Sequence, residues 1–271
     1  MEFSVLLSVY KKEKPEYLKQ AIDSILAQTL LPNEIVCVED GELTQELDAI
    51  LEDYVSRFPN LFRLVKFSQN RGLGLALRDG VLECKYDYIA RMDTDDIARP
   101  ERFAKQFAFL KEHPEISLLG TWIKEFSMDV NKPDSETRLP CGSENIIKFS
   151  KKRNPIRHVS VVFKKTAVID SGNYRDFLLF EDYDLFVRML AKGYKADNLP
   201  EFLMDVRAGE DMFARRGGFD YIKWEIEFQN FLLDIKWISF AEYSFNVIVR
   251  TVVRMLPVSF RKKFYKLFLR K

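Results

Sequence analysis

Four apolar, strand-like runs alternate with three amphipathic helical runs in the first 92 residues, and this rhythm restricts the fold more than any other property of the chain. Phe3–Val9 reads as a buried strand. Pro15–Ala27 follows as a helix, with proline in its first turn and Tyr17, Leu18, Ala21, Ile22, Ile25 and Leu26 on one face. The pattern returns as strand Glu34–Val38, helix Thr44–Val55, strand Leu61–Phe67, helix Gly74–Leu82 and strand Tyr88–Met92. Strand and helix at this spacing predict βαβ units: an α/β fold with a Rossmann-like, mostly parallel central sheet and helices on both faces.

The second half is less regular. Arg99-Pro100-Glu101 opens a helix through Leu110, and Ile116–Phe126 reads as a longer strand. Residues 127–155 read as loop with one helix near Glu144–Ser150, Arg157–Phe163 as a strand, and Asp182–Ala191 as a short helix stopped at Lys192-Gly193. From Phe219 the pattern is helical, so a boundary is expected near Arg215-Arg216-Gly217-Gly218. Residues 1–215 then form one domain, in halves 1–97 and 98–215, and 216–271 a helical, basic appendage.

Composition agrees with one large core plus an appendage, since 47% of the 271 residues are apolar. Forty-two basic residues nearly cancel forty-one acidic ones, so no global field favours nucleic acid as a partner. The charge is uneven, however. No acidic residue follows Glu242, while Arg250, Arg254, Arg261, Lys262, Lys263, Lys266, Arg270 and Lys271 do. Cys37, Cys84 and Cys141 are widely spaced and lack a C-x-x-C pair, which argues against a disulfide framework or a zinc site and for a reducing compartment. The chain enters its first strand without a secretion signal, and Phe245–Val258, its most apolar late segment, is cut by Arg250 and Arg254. A membrane-spanning helix needs roughly 18 to 20 uninterrupted apolar residues. A cytoplasmic protein that does not span the membrane is expected.

Chemistry concentrates where the strands end. Asp93-Thr94-Asp95-Asp96 delivers three carboxylates within four residues at the end of the fourth strand. In open α/β sheets ligands sit outside the carboxyl ends of strands. Hard divalent cations take oxygen ligands and keep positions open for phosphates. A diphosphate held by Mg²⁺ or Mn²⁺ fits these letters, and so does a solvated acidic turn. Ser8-Val9-Tyr10 ends the first strand, Glu39-Asp40-Gly41 the second, and Asn70-Arg71-Gly72-Leu73-Gly74 follows the third. Tyr10 alone could simply cap the core, and a carboxylate before glycine is common turn chemistry. Four such features in order, all at strand carboxyl ends, are much harder to dismiss than any one of them.

Together these residues resemble the inverting glycosyltransferases of family 2, particularly the non-processive bacterial enzymes of O-antigen and exopolysaccharide assembly. The likeness spans roughly residues 1–210 and rests on Leu7-Ser8-Val9-Tyr10, Val38-Glu39-Asp40-Gly41, Asn70-Arg71-Gly72, Met92-Asp93-Thr94-Asp95-Asp96 with Arg99-Pro100, and Phe180-Glu181-Asp182-Tyr183-Asp184. It implies the GT-A fold and a metal-dependent, single-hexose transfer from a UDP-sugar, with galactose or glucose as the sugar and a β-linkage formed.

By that resemblance Ser8, Val9, Tyr10, Glu39 and Asp40 belong to the nucleotide-sugar site, with the Asp40 carboxylate accepting from the uracil N3–H. Asn70 and Gly72 would pass close to the nucleotide, and Arg78 would reach its phosphates. Asp93 would lie near the ribose, Thr94 would belong to the same nucleotide-sugar site, and Asp95, with Asp93, would bind Mn²⁺ or Mg²⁺. Asp96 could contact substrate or cap the helix near Arg99-Pro100. Asp182 is the expected base for the acceptor hydroxyl, with Glu181 second; Asp182 is equally well placed as a helix N-cap. His158 would begin a strand at the edge of the acceptor site, in a contact or a structural role. The usual second-strand Asp-Asp-Gly-Ser stands here as Glu39-Asp40-Gly41-Glu42, and the Q-x-x-R-W motif of processive synthases is absent. At the corresponding place stand Arg207–Met212 and Arg215–Gly218, which read as a flap holding diphosphate or as a linker.

Phe260, Phe264, Leu267 and Phe268 fall at helical spacing among lysines and arginines, the pattern of an interfacial helix. The same pattern also suits a helix docked on the domain. The first reading predicts peripheral attachment to the inner leaflet and a polyprenyl-diphosphate-linked sugar as acceptor. Two other function classes compete. A nucleotidyltransferase would need a glycine-rich first loop, which Tyr10-Lys11-Lys12-Glu13-Lys14 does not supply. A non-catalytic, membrane-bound nucleotide-sugar-binding protein would bind donor without turnover.

Overall fold

In a computed structural model of the chain, which describes residues 1–208 and 218–255, strand β1 (Phe3–Val9) is covered on both faces. Side chains alternate across a strand. Phe3, Val5, Leu7 and Val9 therefore join one core with Leu18, Ala21, Ile22 and Ile25 of helix α1 (Pro15–Leu26), while Leu6 enters a second core on the other face. Each such fully buried aliphatic side chain contributes about 1.5 to 3 kcal/mol. The chain continues through β2 (Glu34–Glu39), α2 (Gln45–Arg57), β3 (Phe62–Lys66), α3 (Leu73–Glu83) and β4 (Tyr88–Arg91). Thr44 caps α2 by accepting from the Leu47 N–H at 3.3 Å. Helix α3 supplies Ala76, Leu77 and Val81 to the second core.

Then come β5 (Ile97–Ala98), α4 (Arg102–Glu112), β6 (Ile116–Phe126), β7 (Ser135–Thr137), α5 (Ser143–Ser150), β8 (Val162–Lys164), α6 (Lys165–Asp170), α7 (Glu181–Ala191) and β9 (Lys195–Arg207). Helices α8 (Phe219–Asp234) and α9 (Phe240–Met255) close the described chain. The sheet runs β3-β2-β1-β4-β8-β6-β9-β5, with β7 beside β6. β1 to β4 pair in parallel, as the βαβ rhythm predicts, and β6 pairs in parallel with β9; β8 is antiparallel to both of its neighbours.

Several expectations are corrected. The strand read over Arg157–Phe163 is a 3₁₀ turn at His158–Ser160 followed by β8. Ser160 explains it: its hydroxyl donates to the Arg157 carbonyl at 2.9 Å, a local bond that competes with a sheet ladder. The helix expected from Arg99 starts at Arg102, because the Arg99 N–H donates to the Leu203 carbonyl and continues the pairing of β5 with β9. Strand β9 was not expected; Pro200 and Glu201 interrupt its apolar pattern, and its pairing with β6 carries register shifts.

Helix α8 packs Tyr221, Phe228 and Leu232 on Phe180, Tyr183 and Val187, with the Phe180 and Phe228 rings stacked at 4.8 Å. The expected boundary near residue 215 and most of the expected flap lie outside the described residues, as does the amphipathic segment Phe260–Phe268. Among the described residues, no helix is long and apolar enough to cross a membrane.

Candidate active site

Because β1, β2 and β4 run in one direction, with Val9 opposite Glu39 and Leu6 opposite Arg91, the segments that follow them emerge at one edge of the sheet. After β2, Asp40 is buried and ties down the loop that follows β3. Its Oδ1 accepts from the Arg71 N–H at 2.7 Å, and its Oδ2 accepts from Asn70 Nδ2 at 2.8 Å and the Gly72 N–H at 3.0 Å. Gly41, at φ 89°, lets this loop close in: a Cβ there would lie 2.6 Å from the Asn70 nitrogen. Gly72, at φ 88°, starts α3. Asp40 thus spends three of roughly four carboxylate acceptor sites on the protein, leaving one for a ligand donor.

Ser8 is half-buried within β1, Val9 is buried, and Tyr10 is 40% exposed at the strand's end. Glu39 is buried and bonds Lys66 at 3.1 Å; burial pushes its carboxyl above the usual range. The Arg78 guanidinium donates to Asp79, which also pairs with Arg71 at 2.5 Å, so the arginine expected near the phosphates is anchored in this short network.

Beyond β4, Asp93, Asp95 and Asp96 each turn one oxygen inward, and these oxygens lie within 4.8 Å of one another. Burial, then Asp93 and Glu13, push Asp95 up to about 7. Asp96 is raised by burial and by its two neighbours. It does not cap α4: that helix starts after Glu101, and Asp96 Oδ1 instead accepts from the Arg207 N–H at 2.7 Å. Arg207, at the end of β9, also donates to the Asp95 carbonyl at 3.1 Å and stacks on the Tyr17 ring at 3.8 Å. Thr94 is buried and donates to Glu13 at 2.5 Å.

A second acidic group stands in the first turn of α7, where Asp93 still acts on Glu181. Glu181 is pushed up to about 7 by burial and then by Asp182. Asp182 is raised by burial, and its carboxylate is held by the Tyr183 N–H at 2.7 Å and Asn154 Nδ2 at 2.6 Å. Asp182 is not the N-cap; that position is Phe180, and Asp182 stands one residue inside the helix. His158 Nε2 lies 2.8 Å from the Tyr174 hydroxyl, and burial together with Arg91 holds the imidazole well below its ordinary value.

Both acidic groups share the influence of Arg91, only 2% exposed. Its Nη2 pairs with Asp93, and its charge reaches Asp95, Asp96, Glu181 and Asp182. Its Nε and Nη1 have no hydrogen-bond partner among the described residues. A lone arginine inside the apolar run Ile89-Ala90-Arg91-Met92 was a readable signal, since buried charge is costly unless paired. Glu13 and Asn154 gave none, standing in polar loop sequence far from their partners. Five carboxyl groups gather around this guanidinium. Hard oxygen donors converging to this degree suit Mg²⁺ or Mn²⁺.

The profile of Glycosyl transferase family 2 matches residues 4–172. The chain is 40% identical to the amylovoran biosynthesis glycosyltransferase AmsE of Erwinia amylovora, over 97% of this chain and 98% of that one. It is 35% identical to the Escherichia coli UDP-Gal:alpha-D-GlcNAc-diphosphoundecaprenol beta-1,3-galactosyltransferase, over 100% and 97% of the two chains. Among solved structures, S. aureus TarS 1-349 in complex with UDP-GlcNAc superposes with a TM-score of 0.69 at 18% identity, covering 99% of this chain and 76% of that one.

Proposed function

The chain belongs to glycosyl transferase family 2, and from that premise we propose that it moves a single hexose from a UDP-sugar to a sugar carried on a polyprenyl diphosphate, inverting the anomeric centre to a β-linkage. Galactose is the favoured donor sugar, with glucose second, because a full-length relative is named for galactose transfer onto GlcNAc-diphosphoundecaprenol. Family membership sets the nucleotidyltransferase and the non-catalytic binding protein aside.

The observation that carries the reading is the pair of acidic groups coupled to the buried Arg91. Asp93 and Asp95 would hold the divalent cation, with Asp96 steadied by Arg207 beside them. When bound, the cation supplies Lewis-acid charge for the departing diphosphate. Val9, Tyr10 and the Asp40 knot would hold the uridine, the remaining Asp40 lone pair accepting from the ring N3–H. Across the cleft the acceptor oxygen attacks the anomeric carbon, the bond to UDP breaks, and Asp182 takes the hydroxyl proton. Asn154 fixes the orientation of that carboxylate, and its raised pKa strengthens it as a base.

The test supplies UDP-galactose or UDP-glucose, Mn²⁺ and a GlcNAc-diphosphate lipid, and reads the product's anomeric proton coupling by NMR. A β-linked disaccharide is expected. An α-linked product, or no transfer from any UDP-hexose, contradicts the proposal.

A further inference from the structure

Helix α9 is built inside out. A helix on the surface of a domain ordinarily turns its apolar side toward the core and its polar side to water. In α9 the two buried residues are Asn246 and Arg254. Asn246 Nδ2 donates to the Lys151 carbonyl at 2.9 Å and to Gln229 Oε1 at 3.0 Å. Arg250 pairs with Glu225, and Arg254 pairs with the same carboxylate at 3.2 Å. These polar contacts seat the helix on α8 and on the loop that follows α5.

The opposite side is apolar and open. Phe245, Ile248, Val252 and Met255 are 61%, 64%, 57% and 64% exposed, and Val249 is 39% exposed. At 3.6 residues per turn these five side chains share an arc of about 120°, and Asn246, Arg250 and Arg254 fall on the far side. Among the described residues no helix is long and apolar enough to cross a membrane, so a helix of this kind lies along an interface. Residues 256–271, which continue from α9, carry six basic side chains and no acidic one. A second copy of the chain would bring the same positive charge to the same contact. An anionic lipid surface attracts that charge.

We propose that the outward face of α9 docks on an anionic lipid bilayer, its apolar side chains entering the acyl boundary while the inward polar face holds the catalytic domain against the surface. Phe245 and Val249 also line one cavity together with Asp182. Docking through this face therefore brings the proposed base next to the lipid, where an acceptor carried on a polyprenyl chain resides. That consequence rests on the function given above; the docking itself does not.

Flotation of the full-length protein with vesicles of equimolar phosphatidylglycerol and phosphatidylcholine, and with vesicles of phosphatidylcholine alone, reads the docking without any sugar donor. The wild type should bind the mixed vesicles, and bind more weakly in high salt and on phosphatidylcholine alone. Ile248→Gln with Val252→Gln changes exposed positions only. It should weaken binding to mixed vesicles about 100-fold, roughly ten-fold for each side chain withheld from the bilayer. Its melting temperature without vesicles should match the wild type. No binding by the wild type, equal binding to the two vesicle types, or equal binding by the variant overturns the proposal. A lower melting temperature of the variant without vesicles, or a wild-type dimer that the variant loses, would show that protein covers this face and would overturn it too. Vesicle binding with no transfer from any UDP-sugar would refute the function and leave the docking face standing, so the two failures are distinguishable.

Discussion

Replacing Arg91 with methionine keeps most of the side chain's volume and removes a buried cation that acts on both acidic groups. Breaking a buried ion pair by deleting one partner costs about 3 to 5 kcal/mol. Asp93, the direct partner, is 36% exposed and can recover some hydration, so the lower end, about 3 kcal/mol, is expected. For a chain of this length that is a fall of roughly 6 to 12 °C in melting temperature. The loss should depend on pH in a definite direction. Without the guanidinium, the carboxyls of Asp95, Asp96, Glu181 and Asp182 rise further above their unfolded values, because Arg91 lowers each of them in the wild type. The folded protein then holds protons that the unfolded chain has lost, so stability falls as pH rises through that window. Thermal melts of Arg91→Met and wild type at pH 5.5 and pH 8 should show a clearly larger deficit at pH 8, and Mn²⁺ should narrow it. Equal deficits at both pH values would mean that Arg91 acts by packing alone, and the electrostatic reasoning would fail.

Two further outcomes follow from the same geometry. Asp95 is raised from 3.8 to about 7, so the metal-free fold loses stability between about pH 4 and 7, where the unfolded chain has given up a proton that the folded carboxyl still holds, and protons compete with a cation over the same range. Stabilisation by Mn²⁺, read as a melting shift, should therefore grow from pH 5.5 to 7.5; a shift independent of pH would contradict the cluster as its site. Asp40→Ala removes three acceptor contacts from the loop Asn70–Gly72 and should cost about 3 kcal/mol, since hydrogen bonds to charged groups are worth about 1.5 to 3 kcal/mol each and do not add fully. Amide exchange should accelerate at Arg71 and Gly72 and UDP affinity should drop. Unchanged protection at those amides would refute the loop's dependence on Asp40.

The half of the fold built from local contacts could be read from the chain alone. Strands β1 to β4 and helices α1 to α3 fall within a residue or two of the expected bounds, because buried parallel strands are continuous apolar runs, and β6 spans the expected Ile116–Phe126. Strand β9 was hidden because its pairing with β6, not its own apolar pattern, makes Asn198, Pro200 and Glu201 part of a strand. The same division holds at the site. Asp93, Asp95, Asp96, Glu181 and Asp182 announce themselves as clustered carboxylates at element ends. Glu13 and Asn154 matter only because folding brings them to Thr94 and Asp182 across 81 and 28 residues. The capping roles weighed for Asp96 and Asp182 were sound for isolated helices. They lost to a tertiary donor from β9 in one case and to a helix that begins one residue earlier in the other.

The central claim is a division of labour between Asp95, which holds the cation, and Asp182, which takes the proton. Calorimetric titration of UDP with and without Mn²⁺, run beside turnover on wild type, Asp95→Ala and Asp182→Asn, tests it most directly. The account predicts that Asp95→Ala loses the Mn²⁺-dependent part of UDP binding together with transfer, while Asp182→Asn binds UDP like the wild type and transfers nothing. Wild-type turnover by either variant, or loss of UDP binding in Asp182→Asn, would contradict it.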